Sequence, residues 1–146
     1  MREKQSVMLN IHVQTFEHGQ PVDEQVETVP GMLYRKGKVY YLKYIEHSEE
    51  GPINTTLKLE EDRLTVIRHG AASMNHVYRP GTTTRGIYHT PYGPLHMETH
   101  TTAYRFKPLA TISEQQGELH WAYYLSLNGN GVSDIHFTLT LTARAP

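Results

Sequence analysis

The feature that most constrains the fold is an alternation of apolar and polar residues at every second position, repeated in about ten short segments from Ser6 to Arg144. Clusters of Gly, Pro, Asn and Asp separate these segments at close intervals. This pattern is typical of antiparallel strands with one buried face. Sequential strands joined by short turns lie side by side, and closing the sheet removes its exposed edges. The pattern therefore predicts an all-β fold with one domain over residues 1–146, an up-and-down antiparallel meander barrel of about eight to ten strands. A sandwich is the alternative.

Three stretches depart from the simple alternation. Pro30-Gly31 follows the polar segment Val22–Val29, and we expect it to interrupt the strand and to mark a bulge, an edge or a sharp bend, because proline lacks a ladder donor and glycine has no side chain to pack. The segment Lys38–His47 is apolar or aromatic at odd and even positions alike, which predicts a strand covered on both faces. The nearest candidate for a helix, Leu109–Gln116, lacks an apolar stripe, so we predict no helix.

Composition argues against several classes of partner. A net charge of -1 gives no long-range field that would attract nucleic acid or an anionic membrane surface. The absence of cysteine excludes disulfides, thiolate catalysis and sulfur metal ligands, and it fits a reducing compartment. The sequence has neither an apolar leader nor the ~20 consecutive apolar residues that cross a bilayer. We therefore expect a soluble cytoplasmic protein that binds neither nucleic acid nor membrane.

A series of short motifs runs along the chain. They are Tyr41-Leu42-Lys43-Tyr44-Ile45-Glu46, Thr55-Thr56-Leu57-Lys58, Arg68-His69-Gly70, Met74, Gly81, Tyr88-His89-Thr90-Pro91-Tyr92-Gly93, Thr99, and Gly117 leading into Tyr123-Tyr124-Leu125. In order and spacing they resemble the YwiB-like family of bacterial β-barrel proteins, which belongs to the calycin or lipocalin-like group. The resemblance covers roughly residues 5–143. It implies a calycin-type barrel in a cytoplasmic protein, chiefly of Gram-positive bacteria, and leaves the function open because the family has no assigned biochemical role.

Two opposite charges share faces with apolar neighbours. Arg68 and Glu46 each follow two apolar or aromatic residues at period two, so each points to the side that those neighbours cover. If that side is the interior, an unpaired charge there would cost roughly 3 to 5 kcal/mol, so we expect mutual pairing or a polar ligand. The functional hypothesis is an arginine that binds a carboxylate or phosphate in an aromatic cavity, and the alternative is a strand-end ion pair in water. The candidate ligand-binding residues are Tyr44, Glu46, Arg68, Met74, Tyr88 and Tyr123, with Arg68 as the anchor for an acidic group.

Signals for metal binding and catalysis are weak. His96, Glu98 and His100 alternate along one predicted strand and share a face, but the two histidines would lie ~13 Å apart, too far to hold one ion together. Arg79–Gly86 resembles a phosphate loop but lacks the Gly-Lys-Ser/Thr ending, and no serine lies in a nucleophile elbow. We therefore predict no metal, no cofactor and no catalytic residue.

Three functions follow from these observations. The leading hypothesis is a binding protein without catalysis that holds a small apolar or amphipathic ligand inside the barrel. An acidic ligand is included in this hypothesis. The competing hypothesis is a structural or interaction protein whose barrel is filled by its own side chains and which pairs with another copy or a different partner. An enzyme of unknown type is third. The tyrosines could stack on bases, but the lysines and arginines are offset by acidic neighbours and leave no basic path for phosphates.

Overall fold

The computed structural model describes residues 3–108 and 116–144, and within these ranges the regular structure consists of strands. The strands are β1 (Glu3–Glu17), β2 (Gln20–Lys36), β3 (Val39–Ser48), β4 (Gly51–Leu59), β5 (Leu64–Gly70), β6 (Met74–Tyr78), β7 (Thr83–Thr90), β8 (Gly93–Lys107), β9 (Gln116–Leu127) and β10 (Ser133–Ala143). They form one antiparallel sheet in the order β6-β5-β4-β3-β2-β1-β10-β9-β8-β7. The predicted all-β meander is confirmed, and its first and last strands are neighbours.

The sheet closes on itself where β6 meets β7. Ser73, just before β6, exchanges two backbone hydrogen bonds of 2.9 Å with His89 of β7. At the other end of this seam, the amide of Gly81 donates to the carbonyl of Thr101 at 2.8 Å. The described part of the chain forms no continuous β6–β7 ladder between these points. The barrel is therefore nearly closed, and the sandwich alternative is excluded.

All five connections that join an odd-numbered strand to the next strand lie at one end of the barrel, because neighbouring strands run in opposite directions. We call this end the hairpin end. Gly70, the last residue of β5, belongs to it and has a φ of 126°. A Cβ at this position would lie closer to the carbonyl oxygen of Pro52 than van der Waals contact allows. The backbone there requires glycine, both for its φ and for the close approach of the two strands.

The interior is packed with the apolar side chains that the alternation assigns to one face. Leu64 and Val66 are 0% exposed, and Trp121 is 4% exposed. The largest fully buried side chains are mainly leucines contributed by six strands: Leu9, Leu42, Leu57, Leu59, Leu64, Leu119, Leu139 and Leu141. Burial of this surface is the dominant stabilising contribution to a barrel that has no cysteine to cross-link it.

The predicted interruption at Pro30-Gly31 is wrong, because β2 runs without a break from Gln20 to Lys36. β1 pairs with β2 along this whole length, whereas β3 pairs with β2 only from Gly31 onward. Up to Pro30 one edge of β2 thus has no neighbour among the described strands, and a proline is tolerated on such an edge. The expectation that the Pro-Gly pair marks an edge is therefore confirmed. The Pro-Gly pair marks the place where β2 and β3 separate.

The predicted double coverage of the strand at Lys38–His47 is also wrong. Leu42 and Tyr44 of β3 point inward and are buried, while Ile45 on the outer face is 46% exposed. Val39 and Tyr41 on that outer face are half-buried. A barrel strand has one solvated face, which here carries aliphatic and aromatic groups.

Two further observations concern the predicted absence of helices. The sequence candidate at Leu109–Gln116 lies, apart from Gln116 in β9, outside the described residues. In the ranges that are described, no helix is long and apolar enough to cross a membrane.

Candidate functional site

The Arg68–Glu46 pair lies in the interior near the hairpin end of the barrel. Arg68 follows Leu64 and Val66 along the inner face of β5, and Glu46 occupies the corresponding face of β3. Arg68 Nη2 lies 3.3 Å from Glu46 Oε1, and the hydroxyl of Thr55 donates to the same oxygen at 3.0 Å. The two charged side chains are 22% and 27% exposed. The expected mutual pairing is present, and the pair remains within reach of solvent.

Aromatic rings surround the arginine. The guanidinium carbon of Arg68 lies 5.8 Å from the ring centroid of Tyr88, within the range of a cation–π interaction. Deeper in the barrel, the ring centroid of Tyr78 lies 4.5 Å from that of Trp121 and 4.9 Å from that of Tyr123. Trp121 and Tyr123 stack at 4.9 Å. The arginine thus borders a contiguous aromatic wall.

Tyr44 and the tyrosines of the aromatic wall keep their protons at neutral pH. Burial, then the nearby Glu46 carboxylate, raises the pKa of Tyr44 far above its ordinary value of 10.0. Burial also raises the pKa of Tyr78 well above that value, and it raises the pKa of Tyr123 to about 12 although Arg68 opposes the shift. Burial would lower the pKa of Arg68, but Glu46 and the surrounding tyrosines raise it on balance. At neutral pH Arg68 is therefore charged and the surrounding tyrosines are neutral phenols.

Two nitrogen donors of the site are buried without a hydrogen-bond partner among the described residues. They are Nε of Arg68 and Nε1 of Trp121. An unsatisfied buried donor typically costs about 1–3 kcal/mol, and more when the group is charged. The Nε–H of Arg68 is thus available to an acceptor that the described chain does not provide.

Two cavities lie near the pair, one beside β2, β3 and β4 and one at the hairpin end, and their lining residues are neighbours of Arg68 and Glu46 rather than the pair itself. A groove of about 670 Å³ opens where β2 leaves β3, and its lining includes Tyr44 and Thr55. Thr55, which donates to Glu46, separates this groove from the ion pair and is itself buried. A second cavity of about 410 Å³ at the hairpin end is lined by Tyr88, with Ile53 and Leu95.

The structure brings all six candidate residues to the inner face near the hairpin end. Met74 lies opposite Arg68 in the β5–β6 register, and its side chain is buried. Tyr88 and Tyr123 pack against the buried core. Sequence reasoning missed Tyr78 and Thr55. Tyr78 could have been found, since it shares the period of Met74 along β6.

The other sequence candidates lie on the outside of the barrel. His96 and Glu98 are exposed, and His100 is half-buried beside the hydroxyl of Thr83. Glu98 pairs with Arg85 at 3.3 Å. Within residues 3–108 and 116–144 no three histidine or acidic side chains are grouped so that they could hold a metal ion. The first half of the stretch that resembled a phosphate loop is a turn between β6 and β7, closed by a hydrogen bond of 3.0 Å from the amide of Thr82 to the carbonyl of Arg79. Its second half, from Thr83 to Gly86, belongs to β7.

The side chain of His76 closes the seam between β6 and β7. It points inward from β6, is 3% exposed, and places Nε2 2.7 Å from the hydroxyl of Thr99 and 3.1 Å from that of Thr84. Gly86 leaves room for the ring, because a Cβ at Gly86 would lie 2.8 Å from Nδ1 of His76. An imidazole and two hydroxyls thus lie where the ladder is missing.

We expect His76 to make the barrel sensitive to acid. Burial lowers the pKa of His76 from 6.5 to about 4, so the ring is neutral in the folded protein. The unfolded chain binds this proton near pH 6.5, so the stabilisation is complete above that pH and is lost as the pH falls toward 4. The expected loss in the free energy of unfolding between pH 7 and pH 4.5 is about 2 kcal/mol. Urea unfolding across this range measures it.

In His76→Gln, the free energy of unfolding is expected to fall by about 2 kcal/mol less than in the wild type between pH 7 and pH 4.5. The matched control is His96→Gln, which changes an exposed histidine and should keep the wild-type profile. An equally steep profile in His76→Gln and in the wild type would contradict the assignment.

Comparison with known proteins finds similarity over nearly the whole chain. The family described as "Domain of unknown function (DUF1934)" matches residues 10–139. The uncharacterized β-barrel protein YwiB of Bacillus subtilis (strain 168) is 27% identical over 140 residues, which cover 95% of this chain and 94% of that protein. The crystal structure of the B. subtilis protein matches with a TM-score of 0.83 at 22% identity, covering 97% of this chain and 94% of that one. These similarities confirm the resemblance to the YwiB-like family that the sequence motifs indicated. They also confirm the β-barrel fold.

Proposed function

The chain belongs to the family described as Domain of unknown function (DUF1934), and because that description names no activity, we propose a function from the site itself. The barrel binds a small amphipathic molecule that places an acidic group on Arg68 and its apolar body against the aromatic wall. The observation that carries this proposal is the buried Nε–H of Arg68, which has no acceptor among the described residues.

The ligand chemistry follows from the groups around Arg68. Glu46 contacts Arg68 through one oxygen at 3.3 Å, and no described residue is a bidentate partner of the guanidinium. A carboxylate, sulfonate or phosphate is the acceptor that matches a guanidinium fork. Tyr88 lines the cavity at the hairpin end with Ile53 and Leu95, and this cavity provides the surface for an apolar or aromatic body. Tyr44 lines the groove on the other side of the pair. A binding role without catalysis and a cytoplasmic, calycin-type setting belong to the same proposal.

Paired fluorescent probes test the role of Arg68. We expect 8-anilinonaphthalene-1-sulfonate, an aromatic anion, to bind the native barrel with increased fluorescence. Arg68→Met should weaken this binding at least about tenfold, because a hydrogen bond to a charged group contributes about 1.5–3 kcal/mol. N-phenyl-1-naphthylamine has a similar aromatic body without the sulfonate, so Arg68→Met should leave its affinity within about twofold. Fluorescence titration measures both affinities.

Two further variants separate the role of Arg68 from general effects. Arg68→Lys keeps the charge but removes the Nε donor, so it should fall between the wild type and Arg68→Met. Arg85→Met, which changes an arginine with a 77% exposed side chain on the outer face, should leave both probes unaffected. Equal affinity of wild type and Arg68→Met for the sulfonate would overturn the proposal, and the thermal melting temperature of each variant checks that it is folded.

A further inference from the structure

The first half of β2 is an unpaired edge. Gln20–Pro30, which we call the arm, pairs with β1 on one side, and on its other side no described strand is in register with it. Residues 20–28 are exposed along their whole length. The facing edge of β3, Ile45–Ser48, pairs with β4 alone among the described strands. Two open strand edges therefore flank the groove, and such edges are available for pairing with another chain.

The groove between these edges is basic. Its lining includes Lys43, His47, His69 and Arg144, and no aspartate or glutamate is among its lining residues. The backbone amide of Arg144 donates to the carbonyl of Ser6 at 3.0 Å, which holds the C-terminal segment beside the groove. An extended segment with negative charge is the complementary occupant.

The arm of this same chain has that chemistry. Asp23, Glu24 and Glu27 lie on it, and no lysine or arginine occurs between Gln20 and Pro30. The arm is already extended, and its outer face presents Val22 at 52% and Val26 at 75% exposure. Three carboxylates would repel a second arm laid directly beside the first, but they match the basic groove of a second copy.

We infer that the groove receives the arm of a second copy of this chain. Each copy has one arm and one groove, so two copies that exchange arms satisfy both and close a two-fold dimer, which is the arrangement we propose. The arm cannot occupy the groove of its own chain because it leaves β3 at Pro30, at the edge of that groove. This inference does not depend on the ligand proposed for Arg68.

Charge exchange between arm and groove tests the inference. Sedimentation velocity of the full chain should show a dimer that dissociates as salt concentration rises. Asp23→Lys with Glu27→Lys in the arm, or Lys43→Glu with Arg144→Glu in the groove, should each raise the dimer dissociation constant at least tenfold. All four changes in one chain should restore the dimer, because the opposite charges are then exchanged.

The variant with all four charge changes distinguishes loss of charge pairing from loss of folding. If the changes in the arm had unfolded it, the changes in the groove would not restore the dimer. Glu61→Lys, an exposed change at the other end of the barrel, is the control and should leave the dimer intact. Proline and acidic residues also protect edge strands from pairing. A wild-type chain that stays monomeric at high protein concentration would assign the arm that protective role and overturn the inference. A dimer unaffected by both charge reversals would overturn it as well.

Discussion

Replacing Gly70 with alanine is expected to lower the free energy of unfolding by about 3 kcal/mol or more, from backbone strain together with steric overlap. The φ of 126° lies in a region that side chains other than glycine rarely adopt. The new methyl group would also collide with the carbonyl of Pro52, which accepts a hydrogen bond of 3.1 Å from the amide of Ala71. The strand must shift to relieve the contact, and this hydrogen bond weakens when it does. Urea unfolding of the variant and the wild type measures the loss.

Gly37→Ala is the matched control for Gly70→Ala. Gly37 has a φ of 64°, and a Cβ there would meet nothing within 4 Å. Only the left-handed conformation opposes that substitution, which should cost about 1 kcal/mol. If the two alanine variants were equally stable, the close approach of β4 and β5 at Gly70 would not be a determinant of the fold.

Removing the carboxylate of Glu46 is the second change with a large expected effect. Glu46→Leu leaves Arg68 without its ion-pair partner and takes the acceptor from the hydroxyl of Thr55. Breaking a fully buried pair costs roughly 3–5 kcal/mol, and because this pair is about a quarter exposed we expect a loss near 2 kcal/mol. Denaturant unfolding measures the loss.

A double-mutant cycle gives the control. Glu46→Leu combined with Arg68→Met replaces the whole pair by apolar groups, and the double variant should return to within about 1 kcal/mol of the wild type. If the effects of the two single changes on the free energy of unfolding were additive, Glu46 and Arg68 would not be coupled, and the site would be a pair of independent charges.

Removing the charge of Glu46 should raise the affinity for the ligand although it lowers stability. Glu46→Gln frees Arg68 from its ion pair and should strengthen binding of the sulfonate probe, which fluorescence titration measures.

The sequence predicted those features that depend on local periodicity. Alternation at period two placed Leu64, Val66 and Arg68 on one face of β5, and the structure confirms that face as inward. The same reasoning placed Glu46 on the face of β3 that carries Leu42 and Tyr44, but it could not tell whether that face is turned inward. The strand register brings the two charges together, because Thr55 of β4 pairs with Tyr44 of β3 on one side and with Arg68 of β5 on the other.

Features that depend on how distant strands meet were not predictable. The sequence Pro30-Gly31 is compatible both with the end of a strand and with the point where a neighbouring strand stops pairing. Here β2 continues through both residues, and its pairing with β3 ends at Gly31. The position of the seam depends on which strands close the barrel, so the role of His76 had no local signal beyond a polar residue at an inward position. The groove exists only because β2 and β3 separate.

One measurement tests the central claim that Arg68 receives the acidic group of a ligand. The ¹⁵Nε–¹Hε resonance of Arg68, assigned by its loss in Arg68→Met, can be followed as the sulfonate probe is added and then as the uncharged amine is added. The account predicts a large shift of this resonance with the sulfonate and little change with the amine, because only the sulfonate provides an acceptor for the buried donor. An Arg68 resonance that stays in place while the sulfonate saturates the protein would contradict the account.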